Sequence, residues 1–322
     1  MGASCQQNRA LARVPVYERP GVGFERHTEE MSPSEVGSVL ALANARDGSS
    51  WEFVGKLPGG YQQGAYELVG PDGTSAVLKW HAASLPAQQL ADTARVIEDA
   101  RSRGWPTAKW IAYGSLANDG AYIIEEFIPG ARPTKLQGPV LERLLAAVRL
   151  QADVRPQTDQ DWSAYIGRVV FEGEAQLAAR MRAHPDTAPL QLRLERITAA
   201  ARDTPLPAND LVHGDFVLNN MLVQDEVPYV VDGAHAGKGT RAYDLATLLM
   251  ETSIGGDYTP PSPAERRRLE REGVAVVGRL GFLVCIACRI MHLLVFGGVH
   301  WNEQVPGSVA KINAFLDGLE ER

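Results

Sequence analysis

Residues 211–246 read LVHGDFVLNNMLVQDEVPYVVDGAHAGKGTRAYDLA, and this stretch decides the fold. Asp215 follows the strand-like Asp210-Leu211-Val212, and Asn220 stands five residues further on. The apolar pairs of runs at 221–223 and 229–231 form a hairpin pattern that would return Asp232 to the side of Asn220. A carboxylate at a strand end is open to a substrate hydroxyl. An amide oxygen and a second carboxylate are hard ligands suited to Mg²⁺. Phosphoryl transfer asks for little more: phosphates held in line, their charge neutralised, and an acid to orient and deprotonate the acceptor.

The bulk properties are compatible with that chemistry. The chain has 322 residues, 45% apolar and 22% charged, enough for one large domain or two lobes with a substantial core. Its net charge of −7 argues against a nucleic-acid partner, which calls for a basic face. Cys5, Cys285 and Cys288 are too few and too scattered for a disulfide framework, which points to the reducing cytoplasm. Cys285 and Cys288 lie in FLVCIACRIMHLL and read as core thiols rather than a metal pair. The N-terminal residues show no apolar signal segment, and Gln6 breaks a myristoylation pattern. Residues 274–299 are apolar but carry Arg279, Arg289 and His292, so they read as a core helix and no membrane partner is expected.

Along the chain, residues 1–48 read as an extension bearing one helix. Ser32 caps it, Pro33 opens it, Glu35 completes a capping box, and Asp47-Gly48 ends it. Strands are expected at 51–54, 65–69, 74–80, 110–113 and 122–127, with a helix at 85–102. Gly70-Pro71-Asp72-Gly73 is a hairpin turn. From Pro129 onward the pattern is helical, at 136–154, 162–183, 190–201 and again from Asp244. The expected architecture is α+β and two-lobed: a small antiparallel sheet with one main helix at 49–128, then a larger, mostly helical lobe at 129–322.

Residues 211–246 resemble the catalytic core of the aminoglycoside phosphotransferase/choline kinase group, the small-molecule branch of the protein-kinase-like fold. The matching positions are His213-Gly214-Asp215, Asn220, Asp232 and Asp244-Leu245-Ala246. The resemblance implies Asp215 as base, Asn220 and Asp232 as Mg²⁺ ligands, and ATP or GTP as co-substrate. Where the family commonly has Asp-Trp and Gly-Asp-Pro, this chain has Asp232-Gly233 and Gly239-Thr240-Arg241. The N-terminal half resembles the group independently. Gly59, Gly60 and Gln63 match its phosphate-covering turn, with Gln63 in place of Asn. Lys79, ending the apolar strand 76–78, matches the lysine that grips the α- and β-phosphates. The resemblance implies an acid on the next helix as its partner, Asp92 by spacing or else Glu98. Residues 122–130, YIIEEFIPG, resemble the interlobe hinge, which implies that Glu126 C=O and Ile128 N–H bind adenine.

A rival phosphate motif at 233–240, GAHAGKGT, fails as a P-loop: it is one residue short, and Gly239 stands where Ser or Thr must meet the metal. No GxSxG elbow supports a hydrolase. The acceptor side is expected to draw on His235, Lys238, Glu172, Glu251 and Asp257, with Asp159 and Asp161 as further acids. Such acids favour a cationic antibiotic over a metabolite such as an amino alcohol. A choline-type site would need Trp162, Tyr165, Tyr258 and Trp301 to converge. A nucleotide-binding pseudokinase is the reading from another class. A monomer or homodimer is expected.

Overall fold

A computed structural model describes residues 32–57, 64–81, 87–116, 120–254, 259–297 and 305–320. The phosphate-turn residues Gly59, Gly60 and Gln63 lie outside these described residues, as do Asp257, Tyr258 and Trp301.

The first lobe starts with helix α1 (Pro33–Asp47). Both halves of its capping box form: Ser32 accepts from Glu35 N–H, and the Glu35 carboxylate accepts from Ser32 N–H. Gly48 ends it in the left-handed region at φ 64°, where glycine is unstrained. The sheet comprises β1 (Glu52–Lys56), β2 (Ala65–Val69), β3 (Ser75–His81), β4 (Trp110–Ser115) and β5 (Ala121–Glu126), in the order β1-β2-β3-β5-β4 with antiparallel neighbours. Helix α2 (Ala87–Ser102) connects β3 to β4.

The period of two along β3 and β5 sorts their side chains between two environments. Ala76, Leu78, Tyr122 and Ile124 share a core with Val36, Val39, Leu40 and Ala43 of α1. Ile123 packs with Leu90 of α2 and with Ala234 from the second lobe. Helix α1 is therefore part of the sheet's own core.

The second lobe is mainly helical, with α3 (Gly138–Leu150), α4 (Trp162–Gly167), α5 (Leu177–Ala183), α6 (Ala188–Thr198), α7 (Ala242–Ile254), α8 (Pro263–Gly297) and α9 (Val305–Glu320). Its short strands are β6 (Asp210–Val212), the β7 (Met221–Gln224) and β8 (Val227–Val230) hairpin, and β9 (Gly237–Gly239), which pairs with β6. The single helix expected over 162–183 is interrupted. A π-turn at Arg168–Glu172 ends at Gly173 with φ 77°, and Ala175 and Gln176 also take positive φ before α5 starts. Helix α8 changes direction at Gly278, φ 72° and ψ 169°. It contains an apolar window long enough to cross a membrane, yet half of that window is buried inside the protein, where Cys285 and Cys288 are fully covered.

Just past the hinge, Ala131 and Val223 exchange backbone hydrogen bonds of 3.1 and 2.8 Å, which fix the chain's entry into the second lobe. The lobes are also tied away from the hinge. Val230 N–H donates to Pro106 C=O at 2.8 Å, and the Thr107 hydroxyl donates to Val230 C=O at 2.7 Å. Those bonds fix the end of β8, and hence Asp232, against the turn after α2.

Because Leu40 is 5% exposed and Leu42 is 45% exposed on the same helix, the two residues test whether α1 belongs to the folded unit. We expect Leu40→Ala to lower unfolding stability by about 2–3 kcal/mol, and Leu42→Ala to change it by less than about 0.5 kcal/mol, both read from urea denaturation.

Candidate active site

The site forms where β6, the β7–β8 hairpin and α7 meet beneath the sheet. Its frame is Asp244, near the start of α7 and fully buried. The Asp244 carboxylate accepts from His213 N–H at 2.8 Å, Gly214 N–H at 3.0 Å and the Gln151 side chain at 2.7 Å. Desolvation lifts its pKa, and the nearby His213 and the donated hydrogen bonds counter that rise. His213 braces the loop from the other side. Asp215 N–H donates to its Nδ1 at 3.3 Å, so the ring proton sits on Nε2, which donates to Val231 C=O at 3.1 Å. One imidazole thus ties the Asp215 loop to the strand end that carries Asp232.

Gly214 has φ 87°, and a Cβ there would lie 2.1 Å from the Trp162 ring. Trp162 is itself fixed: it stacks on Tyr243 at 5.4 Å and donates from its indole N–H to His235 C=O at 2.9 Å. Below it, His292 bridges the Tyr165 hydroxyl at 2.9 Å and the Tyr243 hydroxyl at 3.0 Å. Trp162 and Tyr165 therefore serve as a buried floor and do not form an aromatic cage.

Asp215, Asn220, Asp232 and Lys79 converge. The Asn220 amide donates to Asp215 Oδ2 and to Asp215 C=O, both at 3.0 Å, which leaves its own oxygen for another partner. Val231 N–H donates to Asn220 C=O at 2.9 Å, so Asp232 follows directly from a contact with Asn220. Asp232 Oδ1 lies 3.9 Å from Lys79 Nζ. The sharp turn after β8 is made by Asp232 itself, at φ 68°, a region that short polar side chains tolerate. Gly233 answers a different need: a Cβ there would come within 2.8 Å of Ile97 Cδ1 on α2.

The expected α2 partner of Lys79 is corrected by the structure. Lys79 Nζ pairs with Glu125 Oε1 on β5 at 2.7 Å. Asp92 instead faces its own helix, where Arg95 and Gln88 bind its Oδ1, and Glu98 pairs with Arg101 at 3.5 Å. Desolvation opposes the Lys79 ammonium, but the Glu125 and Asp232 charges outweigh it, and its pKa lies above the ordinary value.

The acceptor side is rearranged as well. Glu251 does reach the site through Arg289, a residue with no expected role there. Arg289 lies 3.4 Å from Asp215 Oδ1 and 3.9 Å from Glu251 Oε2. The only signal for Arg289 in the sequence was a cation inside an apolar core helix. His235 stands close enough to Asp232 and Asp215 to feel both charges, though desolvation dominates and lowers its pKa. Lys238 points elsewhere: it pairs with Asp161 at 3.9 Å and borders an open cavity with Asp92, Arg155 and Asp159. Glu172 is exposed at the end of the π-turn, and nothing among the described residues joins it to Asp215. At the hinge, β5 ends at Glu126, Ile128 is buried, and Gly130 N–H donates to Ile128 C=O at 2.8 Å.

A family model described as the phosphotransferase enzyme family matches residues 54–276. The chain belongs to that family and is a small-molecule kinase. Solved structures of the same fold include a thermostable mutant of aminoglycoside phosphotransferase APH(4)-Ia, 16% identical with a TM-score of 0.58 over 84% of this chain and 97% of that one. The amicoumacin kinase hAmiN is 15% identical, with a TM-score of 0.59 over 90% of this chain and 94% of its own. An aminoglycoside-3'-phosphotransferase of type VIII is 21% identical, with a TM-score of 0.53 over 80% and 98%. No curated protein sequence matches the chain significantly.

Gly214→Ala should displace either Trp162 or the Asp215 loop. We expect kcat to fall about 10²-fold and the melting temperature to drop with it. His292 gives a pH test. Desolvation of its ring, helped by the Arg289 charge, pushes its pKa down to about 3, so the folded state keeps it neutral. Stability from this group is present above the unfolded-state value near 6.5 and lost as pH falls toward 3. Wild type should lose about 1.4 kcal/mol per pH unit from this group below pH 6.5. His292→Asn should be less stable at pH 7.5 but show a shallower acid slope in urea titrations at pH 5 and 7.5.

Proposed function

We propose that this protein transfers the γ-phosphoryl group of ATP or GTP to a hydroxyl of a small molecule, with Asp215 as the catalytic base. The observation that carries this reading is the convergence of Asp215, Asn220, Asp232 and Lys79 from three separate segments, the 213–220 loop, the end of the β7–β8 hairpin and β3. Both carboxylate oxygens of Asp215 are held, Oδ2 by Asn220 at 3.0 Å and Oδ1 by Arg289 at 3.4 Å, while 46% of the side chain stays open to an acceptor. A base so oriented can take a proton from an incoming hydroxyl. Lys79 supplies a cation on the phosphate side. The family resemblance of residues 122–130 would assign adenine binding to Glu126 C=O and Ile128 N–H at the hinge.

The donor set fits Mg²⁺. The Asn220 amide spends its N–H on Asp215, which leaves its oxygen as a ligand, and the Asp232 side chain is 42% exposed. No cluster of three or more His, Cys, Asp or Glu suited to a metal occurs among the described residues. Two protein oxygens completed by nucleotide phosphates and water are the usual arrangement for this ion. When bound, it would neutralise charge developing on the transferred group.

For the acceptor, we propose an antibiotic ahead of an amino-alcohol, sugar or amino-acid metabolite. Similar folds carry such ligands: one structure is an APH(4)-Ia mutant with ADP and hygromycin B, and another is hAmiN with AMP-PNP, Ca²⁺ and Ami. Glu251 and Asp215 offer carboxylates to a cationic or polyhydroxylated ligand. The buried free thiols Cys285 and Cys288 agree with a cytoplasmic, reducing setting.

The test is a nucleotide-coupled turnover screen across aminoglycosides, other hydroxyl-bearing antibiotics and amino alcohols. With the best acceptor, Asp215→Asn should lower kcat about 10²–10⁴-fold while calorimetry shows Mg-ATP affinity nearly unchanged. Undiminished turnover in that variant would remove Asp215 as base. Tight nucleotide binding with no acceptor turned over would favour a pseudokinase.

A further inference from the structure

In protein kinases the strand lysine pairs with a glutamate on the helix of the small lobe, and movement of that helix controls catalysis. Among the described residues, no acid of α2 makes such a pair. The three acids of α2 are each tied to an arginine three or four residues further along the chain: Asp92 to Arg95, Glu98 to Arg101 at 3.5 Å, and Asp99 to Arg103 at 3.1 Å. Its buried residues are Leu90, Thr93, Val96, Ile97 and Ala100, and Ile97 lies against Gly233. Helix α2 thus braces the Asp232 turn with apolar surface.

The lysine's partner comes from the sheet. Lys79 on β3 is opposite Ile123 on β5, and Val77 is opposite Glu125. Glu125 is therefore the diagonal neighbour of Lys79 on the same face, within reach of a long side chain. The ion pair measures 2.7 Å, with side chains 15% and 5% exposed. A buried ion pair offers little net stability against well-packed apolar residues. Its presence beside Asp232, at the root of the hinge, calls for a reason of position.

We propose that Glu125 is the positioning residue for Lys79, replacing the missing helix acid, and that the lysine is held for nucleotide phosphate by the sheet regardless of where α2 sits. This rests on the kinase reading above. Because both partners belong to adjacent paired strands, a shift of α2 cannot break the pair.

The test separates phosphate from base recognition in the full chain. Titrations with Mg-AMP-PNP and with adenosine are run on wild type, Glu125→Gln and the triple variant Asp92→Asn/Glu98→Gln/Asp99→Asn. Glu125→Gln should weaken AMP-PNP about tenfold or more and leave adenosine unchanged, since adenosine has no phosphate for Lys79 to grip. The triple variant should bind both as wild type does. Equal AMP-PNP affinity in Glu125→Gln, a parallel loss of both ligands in a folded protein, or a loss of AMP-PNP in the triple variant would each overturn the assignment. Should Glu125→Gln fail to fold, Glu125→Asp, which withdraws the charge by one methylene, is read by the same ratio. Failure of wild type to bind either ligand would instead count against the kinase reading itself.

Discussion

The site depends on one buried carboxylate. Asp244 sits in the core at the start of a helix and takes three hydrogen bonds, two of them from consecutive backbone N–H groups of the His213-Gly214 turn. An ionised group at that depth is costly unless it is fully bonded. Here the cost is met by groups that would themselves be orphaned without it, since His213 and Gly214 are also buried. The result is mutual: α7 fixes the loop, and the loop satisfies α7. The rest of the candidate site hangs from that anchor, because Asp215 is the next residue and the His213 ring carries the constraint across to Val231.

The constraint then passes between lobes. The end of β8 is bonded to Pro106 and Thr107, and Ile97 closes on Gly233. These contacts hold the Asp232 turn against the underside of the sheet, where Lys79 and Glu125 face it. Three charges so placed form an alternating row of acid, base and acid, Glu125, Lys79 and Asp232, with spacings of 2.7 and 3.9 Å. A phosphate entering this row would meet Lys79 from the side that Glu125 does not occupy. Sheet, hinge and catalytic loop thus contribute to one electrostatic feature, although they are far apart in the chain.

Local signals in the sequence carried the reading a long way. Ser32 to Glu35 announced a capped helix, period-two runs announced the strands, and the order of Asp215, Asn220 and Asp232 announced the site. The family and the two-lobed α+β fold were legible from these. What was not legible depends on directions that spacing does not record. A helix acid was expected for Lys79, but α2 turns its acids toward its own arginines, and only the β3–β5 register shows Glu125 to be the neighbour. The helix expected over 162–183 was interrupted because Gly173 and the two positive-φ residues after it end one turn pattern and start another. Spacing does not show that the left-handed φ of the Asp232-Gly233 pair belongs to Asp232, nor that the glycine makes room for Ile97. Arg289 lay hidden within an apolar helix, since periodicity reports that a residue faces inward and not what it meets there.

Arg289 changes the electrostatic picture of the acceptor side. The sequence offers acids as candidates for that wall, and a wall of acids alone would select for positive charge. The structure places a guanidinium between Asp215 and Glu251, so part of their charge is already taken up internally. Glu251 has its carboxyl lifted by desolvation, with Arg289 opposing that rise and Asp215 adding to it. Under the proposed function, recognition near an acceptor hydroxyl would rest less on net attraction of a polycation than on directed hydrogen bonds to groups already held in place. An acceptor that brings its own cation must compete with Arg289 for these carboxylates, whereas one that brings hydroxyls can add to the existing network. The charge count of the sequence therefore says less about the acceptor than the position of this single arginine does.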